Sequence, residues 1–214
     1  AAQPGVSEEE RKRLLHFVVV GGGPTGVEFA AEMHDFVTED IRKAFPQIHA
    51  DATITLLEGA DHILTTFDAT LSDYTARLFK RQQIEVRTGS LVTRIEKKRI
   101  HLEDGSRIPY GLAVWSAGVG PTSLVESLPF KKERFRIGTD EYFQVAGIEG
   151  VYALGDCATP RDKNFPATAQ VAQQEGTYLA KTLAKKIKGD PVRPFRYRHY
   201  GMLAYVGGNR ALAD

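Results

Sequence analysis

The segment from His16 to Glu32 reads HFVVVGGGPTGVEFAAE and largely determines the architecture predicted for this 214-residue chain. A short apolar run rich in β-branched residues, Phe17 to Val20, indicates a buried parallel strand. Three glycines follow. From Pro24 to about Phe45 apolar residues recur at spacings of three and four, which indicates a helix ended by Pro46. The stretch therefore predicts a strand, a tight glycine turn and a helix in direct succession.

The glycines follow the pattern Gly21-x-Gly23-x-x-Gly26, which is typical of turns that bind a dinucleotide. Gly21 would permit the sharp turn. Gly23 would let a pyrophosphate reach the backbone at the positive end of the helix, and Gly26 would let the helix lie close to the sheet. A glycine turn chosen only for close packing is the alternative. The remaining predicted cofactor-binding residues of this loop are Gly22, Pro24 and Thr25.

Two acidic residues accompany this turn. Glu58 closes the predicted second strand, TITLLE, where a carboxylate would bind the adenosine ribose hydroxyls and repel a 2′-phosphate, so NADH is favoured over NADPH. An ordinary solvated glutamate is the alternative. Glu28 lies in the first turn of the helix and is a candidate catalytic and cofactor-binding residue. It could hydrogen-bond the nicotinamide carboxamide or ribose or relay a proton, or it could only complement the helix dipole.

The rest of the chain predicts an α/β fold. After a third strand, IEVRTG, the residues from 91 to 118 alternate in polarity, with a turn at Asp104-Gly105, and so predict an antiparallel meander ending in an apolar strand, Leu112 to Ser116. GIEGVYALGD predicts another apolar strand and GMLAYVGG a further one. The other predicted helices are Ser7 to Leu15, Asp68 to Gln83 and Pro166 to Lys188.

Charge, cysteine and histidine content and hydropathy exclude several classes of protein and of binding site. A net charge of +1 favours neither nucleic-acid binding nor an acidic tail. The single cysteine, Cys157, excludes an internal disulfide and a cysteine-based zinc cluster, and we expect it to be a small packed residue. The six histidines are scattered, so no metal site is expected. No run approaches the roughly 18 apolar residues of a membrane span, and the polar N-terminal residues do not form a signal peptide.

Four stretches together carry a family resemblance: VVVGGGPTGVEFAAEMHDFVTEDIRKAFP, VWSAGV, GVYALGDCA and PATAQVAQQEGTYLAK. They resemble the type II, single-subunit, rotenone-insensitive NADH:quinone oxidoreductases of the mitochondrial type. The resemblance implies a Rossmann-like flavoprotein with two dinucleotide-binding domains. Residues 1–13 would be a linker, 14–126 the NADH domain and 127–214 part of the FAD domain. An FAD glycine fingerprint and C-terminal membrane-docking helices would lie outside this chain, which is then a fragment.

The resemblance also implies site residues. Asp156 would hydrogen-bond the FAD ribityl chain, with Gly155 allowing close approach, and Gly118 would lie where the backbone passes near the flavin. Gln170 and Gln174 are four apart and would border the quinone pocket. From the residues alone, a capped turn and two exposed polar residues explain these features equally well. The helix N-terminus expected at the flavin pyrimidine consists of Ala167, Thr168, Ala169 and Gln170.

By resemblance, the activity would be hydride transfer from NADH to FAD and electron transfer on to ubiquinone without proton pumping. The protein would be a homodimer, peripheral to the mitochondrial inner membrane. One alternative is a flavin reductase with a soluble acceptor, such as a ferredoxin reductase or an apoptosis-inducing-factor-like protein. The other is an isolated NADH-binding module that holds no flavin.

Overall fold

The computed structural model describes all residues from 1 to 214, and they form two compact units. The first unit contains Ala1–Gly118 and Gly201–Asp214, and the second contains Val119–Tyr200. These units do not coincide with the predicted division at residues 126 and 127: residues 119–126 pack with the second unit, and the last fourteen residues pack with the N-terminal part of the chain. Which unit binds which cofactor stays a prediction.

The helices are α1 (Glu8–Leu14), α2 (Pro24–Phe36), α3 (Arg42–Ala44), α4 (Ala69–Arg81), α5 (Ser123–Ser127) and α6 (Ala169–Lys188). The strands of the first unit's N-terminal part are β1 (His16–Val20), β2 (Thr53–Leu57), β3 (Ile84–Arg87), β4 (Val92–Ile95), β5 (Arg99–Leu102), β6 (Arg107–Pro109) and β7 (Leu112–Trp115). The remaining strands are β8 (Lys132–Glu133), β9 (Arg136–Thr139), β10 (Ala158–Pro160), β11 (Leu203–Gly207) and β12 (Arg210–Ala213).

A parallel sheet of order β3-β2-β1-β7 forms the centre of the first unit. At its C-terminal edge Val20 lies between Leu57 of β2 and Trp115 of β7. The valines of β1 are buried on both faces of this sheet, as a central parallel strand requires. The predicted strand, glycine turn and helix are all present, and the α/β fold class is confirmed.

The first helix is interrupted where the sequence predicts one continuous helix to Phe45. Residues Val37–Ile41 form a π-helical turn between α2 and α3. The hydroxyl of Thr38 donates to the carbonyl of His34 at 2.9 Å and to that of Asp35 at 3.2 Å. Such hydroxyl bonds to the preceding turn compete with the backbone ladder and bend helices. Apolar periodicity cannot reveal this local change of winding.

The antiparallel meander is a separate three-stranded sheet, β4-β5-β6. Ile100, Leu102 and Ile108 of this sheet share a core with Val18 and Val20 of β1. The strand expected to end the meander is β7, which instead pairs in parallel with β1. The sequence pattern predicts the strand correctly, but it does not show which strand it pairs with.

The C-terminal hairpin of β11 and β12 belongs to the first unit. Ala204, Val206 and Leu212 are buried with Val27 and Ala31 of α2 in one core. The strand predicted in GMLAYVGG is therefore present. None of the helices in the chain combines the length and apolar character that a bilayer span needs.

The second unit contains a small sheet of order β10-β9-β8, with Ile137, Val145 and Ala158 in its core. The apolar strand predicted over residues 147–156 is wrong as a regular element. Only an isolated bridge joins Gln144 and Tyr152. Gly147 and Gly150 have φ values of +80° and +76°, which break an extended ladder.

The long helix of the second unit, α6, starts at Ala169 rather than at Pro166. Thr168 is its cap, and the Thr168 hydroxyl accepts the N–H of Val171. The helix ends at Gly189, which takes the left-handed conformation that a C-terminal glycine commonly adopts.

Candidate functional site

The three glycines of the motif have different surroundings. Gly21 has φ +112°, and a Cβ there would lie 2.8 Å from the N atom of Ala117. A Cβ on Gly26 would lie 1.8 Å from the carbonyl oxygen of Gly21, so α2 can approach the turn only with glycine at this position. No atom lies within 4 Å of a Cβ built on Gly23. Gly21 and Gly26 are therefore needed for packing, whereas Gly23 leaves open space at the start of α2.

The first turn of α2 offers unpaired donors. Gly23 is the cap and supplies no side-chain hydrogen bond, and Pro24 has no N–H. The backbone N–H groups of Thr25 and Gly26 have no protein acceptor, since the first bond of the helix runs from Val27 to Gly23. Free amides and the positive helix end favour an anion, and the open space at Gly23 would admit a pyrophosphate. The residues present fit a dinucleotide.

Glu58 lies directly beside the glycine turn. One oxygen of its carboxylate accepts the N–H of Gly22 at 2.5 Å, and the other accepts the N–H of Ala60 at 2.7 Å. A Cβ on Gly22 would lie 2.9 Å from Oε2 of Glu58, so the absence of a side chain there creates this contact. The structure thus brings the predicted acid to the predicted turn. Its contact with a ribose remains a prediction.

Glu28 has a partner that the sequence did not indicate. Its Oε1 accepts the N–H of Tyr205 on β11 at 3.1 Å. Two helical turns further along α2, Asp35 Oδ2 accepts the hydroxyl of Tyr205 at 2.7 Å and the N–H of Gly208 at 2.9 Å. Two acids seven residues apart therefore hold the C-terminal hairpin. The role of Glu28 toward nicotinamide stays a prediction.

The carboxyl group of Asp35 titrates below its ordinary range. Burial by itself would raise its pKa, but hydrogen bonds from Gly208, Tyr205 and His34 outweigh burial and lower the pKa. The clamp on the hairpin is therefore formed by a carboxylate at neutral pH. Glu28 and Asp35 are seven residues apart and so lie on one face of α2, which is the signal that could have indicated a partner common to both.

In the second unit, Gly155 and Asp156 lie in a short 3₁₀ turn, Gly155–Cys157. Gly155 has φ +72°, which favours glycine, and the carboxylate of Asp156 is exposed. Cys157 is also exposed, so the expectation of a packed cysteine is wrong. A cleft of about 330 Å³ borders this turn, lined among others by Val119, Pro121 and Asp156. An exposed carboxylate beside a glycine turn and a cleft fits the ribityl contact that the resemblance implies.

The glutamines of α6 contact the extended segment that follows the helix. Gln174 Nε2 donates to the carbonyl of Arg198 at 2.8 Å, and its Oε1 accepts the Arg198 N–H at 3.0 Å. Gln170 Oε1 accepts the hydroxyl of Tyr197 at 2.5 Å and the N–H of Tyr200 at 3.1 Å. Both amides therefore hold residues 197–200 along α6, a function that spacing alone did not indicate.

The remaining predicted positions lie at chain turns. Gly118 ends the first unit with φ +70° and open space around a built Cβ. Ala167 and Thr168 precede α6, and Ala169 begins it. A buried carboxylate that the sequence reasoning missed, Glu175, lies two helical turns beyond Thr168. Its spacing of four from Val171 and Leu179, both apolar and buried, is the signal that could have found it.

Comparison with known proteins identifies the family. The family model of the pyridine nucleotide-disulphide oxidoreductases matches residues 3–176. A probable NADH dehydrogenase of Dictyostelium discoideum is 44% identical over 97% of this chain and 47% of its own length. An internal alternative NAD(P)H-ubiquinone oxidoreductase A1, mitochondrial, of Arabidopsis thaliana is 40% identical over 99% of this chain and 44% of its own length.

Solved structures agree with this result. NDH2 from Plasmodium falciparum, solved in complex with NADH, superposes with a TM-score of 0.91 at 25% identity, covering 99% of this chain and 60% of that one. The chain spans about half the length of the curated relatives it matches. It belongs to the pyridine nucleotide-disulphide oxidoreductase family and is a homologue, over nearly all of its residues, of the alternative NAD(P)H-ubiquinone oxidoreductases.

Proposed function

We propose that this chain binds NADH through its first unit and contributes to an FAD site through its second unit. The whole protein would transfer a hydride from NADH to FAD and pass the electrons to ubiquinone without pumping protons. The observation that carries the proposal is the turn from Gly21 to Gly26, whose free amides and neighbouring Glu58 match the needs of a dinucleotide. Relatives described as mitochondrial ubiquinone oxidoreductases support the choice of acceptor.

The first unit would bind and orient NADH. The N–H groups of Thr25 and Gly26 would donate to the pyrophosphate, and the open space at Gly23 would admit it. Glu58 would accept hydrogen bonds from the adenosine ribose and repel a 2′-phosphate. Glu28 would contact the nicotinamide end while its Oε1 accepts the Tyr205 N–H, which fixes the orientation of the carboxylate.

The second unit would contribute to holding FAD, which when bound accepts the hydride and releases electrons to the quinone. Asp156 would accept hydrogen bonds from the ribityl chain, and Gly155 would permit close approach. The positive end of α6, from Ala167 to Gln170, would favour negative charge at the flavin pyrimidine. Gln170 and Gln174 would shape the quinone pocket, directly or through the segment 197–200 that they hold.

Absorbance and stopped-flow spectroscopy of the whole protein test this function. We expect a visible flavin band, bleaching of that band by NADH under anaerobic conditions, and rotenone-insensitive return of the band on addition of a soluble ubiquinone. A bound flavin that NADH bleaches but ubiquinone does not reoxidise would favour a soluble acceptor. A protein without flavin that still binds NADH would overturn the flavoenzyme proposal.

Location at the inner mitochondrial membrane and a homodimeric state are further parts of the proposal. Cell fractionation tests the location, and sedimentation tests the homodimer.

A further inference from the structure

Glu175 is a buried carboxylate on the inner face of α6. The buried residues of this helix are Val171, Glu175, Leu179 and Thr182, and the relative exposure of Glu175 is only 3%. A charged side chain on an apolar face is unfavourable unless it is paired or hydrogen-bonded. Its position therefore needs a reason other than packing.

The partner of Glu175 is the backbone of the Gly155 turn. Glu175 Oε2 accepts the N–H of Gly155 at 2.6 Å, which is a short, charge-assisted hydrogen bond. Gly155 has φ +72°, in the left-handed region that favours glycine. The bond joins α6 to a turn twenty residues earlier and sets the orientation of the Leu154–Gly155 peptide, which leads directly into Asp156.

A second charged side chain supports the same corner of the second unit. Arg136 on β9 donates from Nη1 to the carbonyl of Phe165 at 3.2 Å, which holds the chain just before α6. Burial raises the pKa of Glu175, whereas the Gly155 N–H and the charge of Arg136 oppose the rise and Asp156 adds to it. Two side chains thus hold the two segments, 155–156 and 165–168, that would face FAD.

We infer that Glu175 is a positioning residue for FAD, acting as the hydrogen-bond acceptor that fixes the Gly155–Asp156 turn for the ribityl chain. This inference rests on the proposed flavin site. Glu175 touches the Gly155 backbone and acts on the cofactor only through it. Acceptance of the hydrogen bond is the essential property, so an uncharged acceptor of the same length would serve.

The test uses three variants of the whole protein. Glu175→Gln keeps an acceptor of the same length, and Glu175→Met removes it while filling a similar volume. Thr182→Val is the matched control, because Thr182 is a buried polar residue on the same face of α6, two helical turns beyond the residue that holds Gly155. The readouts are the flavin content after purification, the FAD dissociation constant by titration of the apoprotein, and the visible circular dichroism of the bound flavin.

We expect Glu175→Met to weaken FAD binding about ten-fold or more and to change the flavin dichroism, since the loss of a hydrogen bond to a charged acceptor has effects of that order. Glu175→Gln should bind FAD within about three-fold of the parent, and Thr182→Val should bind it unchanged. Equal FAD affinity in Glu175→Met and the parent would overturn the inference. Failure of the parent itself to hold flavin would instead overturn the proposed function. Thermal unfolding of the apoproteins shows whether a variant has lost its fold. An equal loss of FAD affinity in Glu175→Met and Thr182→Val would also overturn the inference.

Discussion

The carboxylate of Glu58 accepts the backbone N–H of Gly22 at 2.5 Å, so the acid after β2 is attached to the glycine turn after β1. The second carboxylate oxygen accepts the N–H of Ala60. Because both oxygens are engaged with backbone, the negative charge is held in one place beside the turn. This position beside the turn supports the prediction that Glu58 selects NADH over NADPH.

Replacing Glu58 with Gln should shift the nucleotide preference. The change removes the negative charge and sets an amide N–H₂ against a backbone donor, so we expect lower affinity for NADH and less repulsion of a 2′-phosphate. The ratio of kcat/KM for NADPH to that for NADH should rise about ten-fold, an effect of ~1.4 kcal/mol. Glu85→Gln is the control, since Glu85 accepts the Thr55 hydroxyl on the adjacent strands without touching the turn. An unchanged ratio would show that Glu58 serves only to hold the loop.

Alanine at Gly23 and alanine at Gly26 should affect different properties of the protein. A Cβ on Gly26 would meet the Gly21 carbonyl at 1.8 Å, so Gly26→Ala should lower the free energy of unfolding by about 3 kcal/mol. Gly23 has open space and a negative φ of −71°, so Gly23→Ala should leave stability nearly unchanged while weakening NADH binding. Urea denaturation and NADH fluorescence titration measure the two effects. Similar stability losses in both variants would contradict this division.

The contact of Asp35 with Tyr205 should make the hairpin sensitive to acid. The folded pKa of Asp35 is lowered, so its stabilising effect is complete above the unfolded value of about 3.9 and is lost as pH falls toward the folded value. Asp35→Asn should therefore lose less stability than the parent between about pH 5 and pH 3. Denaturation curves at several pH values provide the measurement, with Tyr205→Phe as a companion variant expected to cost about 1 kcal/mol at neutral pH. Identical pH profiles for parent and Asp35→Asn would refute the assignment.

Gln174→Leu should release the segment that follows α6. The variant loses both hydrogen bonds to Arg198, while Phe195 remains buried and anchors the segment against Phe143 and Tyr178. We expect faster tryptic cleavage near Arg198 and a greater loss in quinone reduction than in flavin reduction by NADH. Gln173→Leu is the matched control, because Gln173 is exposed on the same helix. Equal losses in the two half-reactions would indicate a purely structural role for Gln174.

Replacing the two loop residues of the β8–β9 hairpin with residues that favour positive φ should stabilise the protein. Arg134 and Phe135 form its two-residue loop with φ values of +50° and +69°, and Glu133 pairs with Arg136 across it. Such loops favour Asn-Gly, and each bulky residue in this conformation costs roughly 1–2 kcal/mol. The double variant Arg134→Asn with Phe135→Gly should raise the free energy of unfolding by about 2 kcal/mol. A lower denaturation midpoint would show that the present side chains contribute contacts that exceed the backbone strain.

Much of the first unit could be predicted because its signals are local. The apolar run of β1, the glycine spacing and the periodicity of α2 each depend on residues that are close in sequence. The position of Glu58 beside the turn could also be predicted, since strands of one parallel sheet end at the same edge. The resemblance to the type II oxidoreductases, drawn from four short stretches, is confirmed by the relatives.

Spacing and residue type were enough to predict the parallel strand, the glycine turn, the helix after it and the family. The partners of the polar side chains could not be predicted, because they lie on elements that meet only when the chain folds. Tyr205 meets Glu28 across 177 positions and Gly155 meets Glu175 across twenty. A buried carboxylate must find a donor, but which backbone N–H it finds depends on how the elements pack, and no local pattern records that choice.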